Sequence, residues 1–199
     1  MVAKTLNKIF LSASIPSPDR DKRFYDSADI IAIRDAVKAL ATVVIPYTHL
    51  IWGGHPAITP LIRNVLQIMN ADVKKHVTLY QSEYFHNTFP KENEDIGNIL
   101  LTKKCETREE SLALMRDEMI AGNDFKAGIF IGGMEGVLDE YKLFKDSHRT
   151  ALLLPVASTG AAAKIIFDEL EPAGDKRLES DYAYMSLFRD LLKNILEVS

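Results

Sequence analysis

Four times in this chain an unbroken apolar run ends in small residues and passes into a segment of helical period. The runs are Lys8-Ile9-Phe10-Leu11 into Ser12-Ala13-Ser14, and His49-Leu50-Ile51-Trp52 into Gly53-Gly54. Ala127-Gly128-Ile129-Phe130-Ile131 enters Gly132-Gly133, and Ala151-Leu152-Leu153-Leu154-Pro155-Val156 is followed by Ser158-Thr159-Gly160. A strand with one wet face alternates apolar and polar residues. A strand apolar at consecutive positions has both faces covered, as in parallel sheets whose crossovers are helices.

The intervening segments fit such crossovers. Ile30, Ile33, Val37, Leu40 and Val44 share one helical face, with Asp26 or Ser27 as the expected cap and Pro46 as the stop. A second helix carries Ile58, Leu61, Ile62, Val65, Leu66 and Met69. Val77 to Tyr80 reads as a strand, Asn87 to Asp95 as a long polar loop, and Asn98 to Leu101 as a weaker strand. Residues 107 to 121 form a helix with Thr107 and Glu110 in capping-box register. Further helices are expected at about 135 to 147, from the alanine-rich stretch to about Leu170, and from Tyr182 to Val198. The last has Tyr184, Leu187, Leu191 and Ile195 on one face, with the sheet or a second subunit to pack against. No stretch is rich enough in Gly, Pro or Ser to link two cores, so residues 1–199 are expected to form one domain. The expected fold is a Rossmann-like α/β three-layer sandwich with a mostly parallel sheet of five to six strands and a C-terminal amphipathic helix.

Charge and composition narrow the partners. A formal net charge of -4 argues against a protein that coats nucleic acid or an anionic membrane, while leaving room for a small anion in a local basic pocket. One cysteine, Cys105, cannot build an internal disulfide and suits a reducing compartment. The apolar part of the N-terminal stretch is short and broken by serines, which reads as a first strand rather than a signal peptide. No run approaches the roughly 18 to 20 apolar residues of a membrane-spanning helix. The cytoplasm is the expected location. Five histidines show neither H-x-x-x-H nor H-E-x-x-H spacing, so neither a metal site nor a cofactor is expected.

Ligands of an open parallel sheet bind beyond the carboxyl ends of the strands, where helix N-termini favour anions. The small-residue turns fall at that edge, which makes Ser12, Ser14, Gly53, Gly54, Gly132, Gly133, Gly136, Ser158, Thr159 and Gly160 candidates for ligand binding. His55 follows the second turn at the same edge. Glu135, Asp139 and Glu140 stand in the first turns of a helix, a placement the helix dipole alone would explain, and Glu135, within the glycine turn, is counted with the ligand-binding candidates. Positions 136 and 140 share a face, so Glu140 would lie beneath the glycine turn, with Arg116 as its positive partner. The charge run Asp19-Arg20-Asp21-Lys22-Arg23 has the length to reach the same edge. Neither a G-x-G-x-x-G fingerprint, a Walker loop nor a G-x-S-x-G elbow is present.

Gly53-Gly54, Met115-Arg116-Asp117-Glu118-Met119 and the stretch Gly132-Gly133-Met134-Glu135-Gly136-Val137-Leu138-Asp139-Glu140 resemble the LOG family within the SLOG superfamily, over roughly residues 8 to 170. That superfamily groups Rossmann-like domains that process or sense nucleotides. In LOG enzymes a P-G-G-x-G-T-x-x-E motif cradles phosphate and ends in a catalytic glutamate, and these enzymes cleave the N-glycosidic bond of nucleoside 5'-monophosphates. The resemblance makes Gly132, Gly133 and Gly136 the motif's glycines and Glu140 its glutamate; Arg116 matches the family's arginine to within one position. Ile131 replaces the proline, Val137 replaces the threonine, and one extra residue separates Gly133 from Gly136. Catalytic geometry tolerates such shifts less well than binding does. The resemblance therefore implies first a sensor or binding module for a nucleotide or ADP-ribose-type ligand, as in SLOG domains of prokaryotic conflict systems. It implies second a phosphoribohydrolase with Glu140 and Arg116 as catalytic residues. It also implies a homodimer or higher oligomer, and a separate effector protein as partner.

Overall fold

The computed structural model describes residues 5–69, 75–91, 93, 96–170 and 174–197; Val198 and Asp95, at the ends of two expected segments, lie outside them. Six strands form one sheet: β1 (Lys8–Ser14), β2 (His49–Gly53), β3 (Val77–Ser82), β4 (Ile99–Thr102), β5 (Phe125–Gly132) and β6 (Leu152–Val156). All five pairings are parallel, in the order β4-β3-β2-β1-β5-β6. The helices are α1 (Lys22–Tyr25), α2 (Ile30–Val44), α3 (Thr59–Ile68), α4 (Arg108–Arg116), α5 (Glu135–Ser147), α6 (Ala161–Leu170), α7 (Arg177–Ser180) and α8 (Tyr184–Leu196).

The continuous apolar strands do serve two cores. From β1, Ile9 and Leu11 face α2, α3 and α8, whereas Phe10 faces α4, α5 and α6. From β5, Ala127, Ile129 and Ile131 enter the first core and Phe130 the second. Gly128 takes a position in β5 where any Cβ would press into the Phe144 ring of α5, so its lack of a side chain lets that helix approach the sheet. The C-terminal helix α8 buries Tyr184, Leu187, Phe188 and Leu192 in the first core and packs on α2. Its apolar face is thus used within the chain.

Helix α2 is capped by Asp29, whose carboxylate accepts from the Ala32 amide at 2.9 Å, and not by Asp26 or Ser27. The chain first makes the short helix α1, which buries Phe24 completely, and this moves the start of α2. Helix α4 carries the expected capping box of Thr107 and Glu110, then widens into a π turn at Asp117–Ala121. The expected loop after β3 begins with a 3-10 turn, Glu83–Thr88.

Strands β2 to β4 are added outward on one side of β1, and β5 and β6 on the other. The direction of winding therefore reverses between β1 and β5, which opens a crevice at their carboxyl ends.

Candidate functional site

Glu140 lies at the floor of that crevice, on the second turn of α5, with 16% of its side chain exposed. Ser12 on β1 donates its hydroxyl to Glu140 Oε2 at 2.6 Å. Arg116, the last residue of α4, brings Nε to 3.5 Å from Glu140 Oε1 and Nη1 to 3.3 Å from Asp139 Oδ2. Three elements thereby orient one carboxylate. Burial pushes the Glu140 carboxyl above its ordinary range, against the opposing pull of Arg116 and of the Ser12 hydrogen bond. A carboxylate has about four lone-pair positions, so two remain for hydroxyls presented from the crevice.

The polar cleft above Glu140 has a volume of about 180 Å³. Ser14, Gly53, Gly54, His55 and Gly136 line it, together with Arg20, Arg108 and Arg116. Arg20 comes from the charge run after β1 and meets Glu135 at 3.9 Å across the rim. Arg116 is held by two carboxylates and is 19% exposed, whereas Arg20 and Arg108 each have one carboxylate nearby, Glu135 at 3.9 Å and Glu109 at 3.5 Å, and are about half exposed, so attraction for an anion rests on these two and the amino end of α5. The amides of Met134 to Gly136 open that helix and precede any intrahelical acceptor.

His55 accepts from the Ala57 amide through Nδ1 at 3.2 Å, which leaves Nε2 to carry the ring hydrogen. Burial, with the Arg20 charge nearby, lowers its pKa to about 4, so the ring is neutral at physiological pH.

The two glycine turns differ. Gly133 has φ of 91° and Gly160 has φ of 70°, conformations that L side chains rarely adopt. The Gly132 amide donates to Thr159 Oγ1 at 2.8 Å and the Gly133 amide to the Ser14 carbonyl at 2.9 Å. Both donors are engaged inside the protein. Ser158, Thr159 and Gly160 lie behind this turn and not in the cleft: Ser158 Oγ bonds the Tyr184 hydroxyl at 3.0 Å, and a side chain at Gly160 would collide with the Ser27 carbonyl. Gly136 alone of the β5 turn's glycines faces the cleft, where a Cβ would stand 3.0 Å from Arg116 Nη2.

A second, apolar chamber of about 340 Å³ continues from the first, sharing Gly54, His55, Arg108, Leu112 and Met115 with it. Sequence reading did not single out Arg108, Gln81, Phe85 or Phe89 there. Two signals were present: Arg108 is a cation at a helix N-terminus, where the dipole disfavours it, and Gln81 is an amide in an otherwise buried strand.

Among the described residues, no three His, Cys, Asp or Glu side chains gather as a metal site, and no helix is long and apolar enough to cross a membrane. The model of the SLOG cluster3 family matches residues 23–192. No curated protein matches the chain. The X-ray structure of the structural genomics target TM1055 superimposes with a TM-score of 0.56 at 11% identity, over 82% of this chain and 81% of that one, a likeness of fold.

Proposed function

Because the chain belongs to the SLOG cluster3 family, we propose that it is a binding module for a nucleotide or ADP-ribose-type ligand, with the whole chain acting as one sensor unit. The observation that carries this reading is the oriented carboxylate. Glu140 has one oxygen on Ser12 and the other beside Arg116, and it faces a cleft rimmed by Arg20 and Arg108. Its free lone pairs suit the adjacent hydroxyls of a ribose. The two arginines and the α5 amides suit the phosphate at the far end of that sugar. In this role Arg116 is a positioning residue that holds Glu140, and His55 Nε2 supplies a neutral donor between sugar and phosphate. Calorimetry with nucleoside monophosphates, ADP-ribose and its cyclic isomers tests the proposal: saturable heat from at least one supports it, and none from the whole panel overturns it.

The second reading is hydrolysis of a nucleoside 5'-monophosphate to free base and ribose 5-phosphate. Burial raises the proton affinity of Glu140, as proton transfer near neutral pH requires, and that observation favours it. Water would add at the anomeric carbon as the bond to the base breaks, with Glu140 positioning that water and accepting its proton while the departing base nitrogen takes one from solvent. Release of free base that disappears in Glu140→Ala supports turnover; release that persists unchanged removes Glu140 from the reaction.

As a sensor, the chain would signal through a separate effector protein or through self-association. Since α8 buries its apolar face on α2, a homodimer would use another surface, and light scattering at working concentration decides whether one forms.

A further inference from the structure

The apolar chamber is unused by the sugar and phosphate contacts above, yet it opens directly from the polar cleft. Its walls are Pro56, Phe85, Phe89, Pro90, Leu112 and Met115, and its volume of about 340 Å³ falls in the range of roughly 300–1,000 Å³ usual for small-molecule sites. Besides Arg108 and His55, which it shares with the polar cleft, the chamber has one amide in its wall. Gln81, on β3, is 4% exposed, and its Oε1 accepts from Asn93 Nδ2 at 2.7 Å, a residue itself 5% exposed. That bond fixes the carboxamide with Nε2 beside Gly54, at the joint of the two chambers. Among the described residues Nε2 has no hydrogen-bond partner.

An amide donor fixed at the wall of an aromatic-walled chamber is met by water when the chamber is empty, and a ligand that displaces that water must offer an acceptor in its place. We propose that this chamber seats the planar heteroaromatic base of the ligand, and that Gln81 donates to a ring nitrogen or keto oxygen on the base edge. The inference rests on the nucleotide reading above and adds to it the part of the ligand that confers selectivity. Flat apolar surfaces accept a ring of any identity, whereas a fixed donor demands an acceptor at one place on its edge. The five residues common to both chambers let one molecule span them, base in the apolar chamber and sugar over Glu140.

The test uses two probes that differ by the base alone, AMP and ribose 5-phosphate, titrated calorimetrically into the full chain. Wild type is expected to bind AMP about tenfold or more tightly than ribose 5-phosphate. Gln81→Met keeps the length of the side chain and removes the donor facing the chamber without adding charge. Thr88→Trp, at an exposed position on the chamber wall, fills the space without touching Glu140. Each variant should reduce the preference for AMP to within about threefold while leaving ribose 5-phosphate binding unchanged. Equal affinity of wild type for the two probes, or a loss shared equally by both probes in the variants, overturns the base subsite and leaves the phosphate and sugar reading standing. Absence of saturable binding by AMP, ribose 5-phosphate and ADP-ribose alike overturns the nucleotide reading itself.

Discussion

The turn after β5 and the turn after β2 stand at the same edge of one sheet and both carry paired glycines, but they need them for different reasons. After β5, Gly133 holds a left-handed backbone, and the amides of Gly132 and Gly133 are bound to Thr159 and Ser14. After β2, Gly53 keeps an ordinary backbone, and a Cβ there would meet only Met115 and Met119 at 3.5 and 3.6 Å, while Gly54 gives its amide to the Tyr80 carbonyl at 2.9 Å and leaves room for the Gln81 side chain. The first turn is structural support for α5, and the second is cleft wall. A glycine-rich sequence at a strand end therefore states where a chain turns sharply or packs closely; amides of both turns are engaged within the protein, and what a ligand can approach is the open side of Gly53, Gly54 and Gly136.

The largest effect that could break this comparison belongs to the β5 side. Gly160→Val places a side chain on the Ser27 carbonyl in a backbone region nearly restricted to glycine, with φ 70° and ψ -157°. It should cost more than about 3 kcal/mol, read as a lost or much lowered denaturant midpoint. Gly133→Ala should cost about 1–3 kcal/mol through its left-handed φ and the crowding of Val137. A Gly133→Ala protein of wild-type stability would show that the turn is not under the constraint described.

On the β2 side the expectation is reversed. Gly53→Ala should leave unfolding within about 0.5 kcal/mol of wild type, yet weaken nucleotide binding because Gly53 lines the polar cleft. Equal loss of stability at Gly53 and Gly133 would erase the distinction between the turns.

Two smaller effects concern protons. The folded pKa of His55, about 4, lies below its ordinary 6.5, so between those values the unfolded chain binds more protons. Stability should rise with pH across that window, be fully present above it, and lose this slope in His55→Gln. Glu140 has the opposite sign. Its carboxyl is raised above the ordinary value, so folding is favoured below that value and the benefit is lost as pH rises through the raised one. Glu140→Gln should therefore raise the melting temperature more at pH 8 than at pH 4.5, a comparison made by scanning calorimetry in the two buffers.

The strands were legible because two-sided burial writes unbroken apolar runs, and the six strands and their order of helices follow from that pattern. The start of α2 was not, because Asp26, Ser27 and Asp29 are chemically similar caps; the choice depends on how Phe24 docks in the core. At the site, Arg116 stands beside Glu140 as its expected positive partner, whereas the bond from Ser12 to that carboxylate joins a strand and a helix far apart in the chain and had no signal in the spacing. Ser158, Thr159 and Gly160 share the strand-end pattern but are turned inward, and a pattern of small residues carries no sign of which way a turn faces. Gln81 and Arg108 are drawn to the crevice by strand order and helix placement, relations between segments far apart in the chain.

The π turn at Asp117–Ala121 fits one more residue into its turn than an α-helix would. An α-helix advances about 100° per residue, so a single deletion within 117–121 would restore regular winding and swing Arg116 by roughly that angle away from Glu140. The chain carries, in effect, a one-residue phase adjustment.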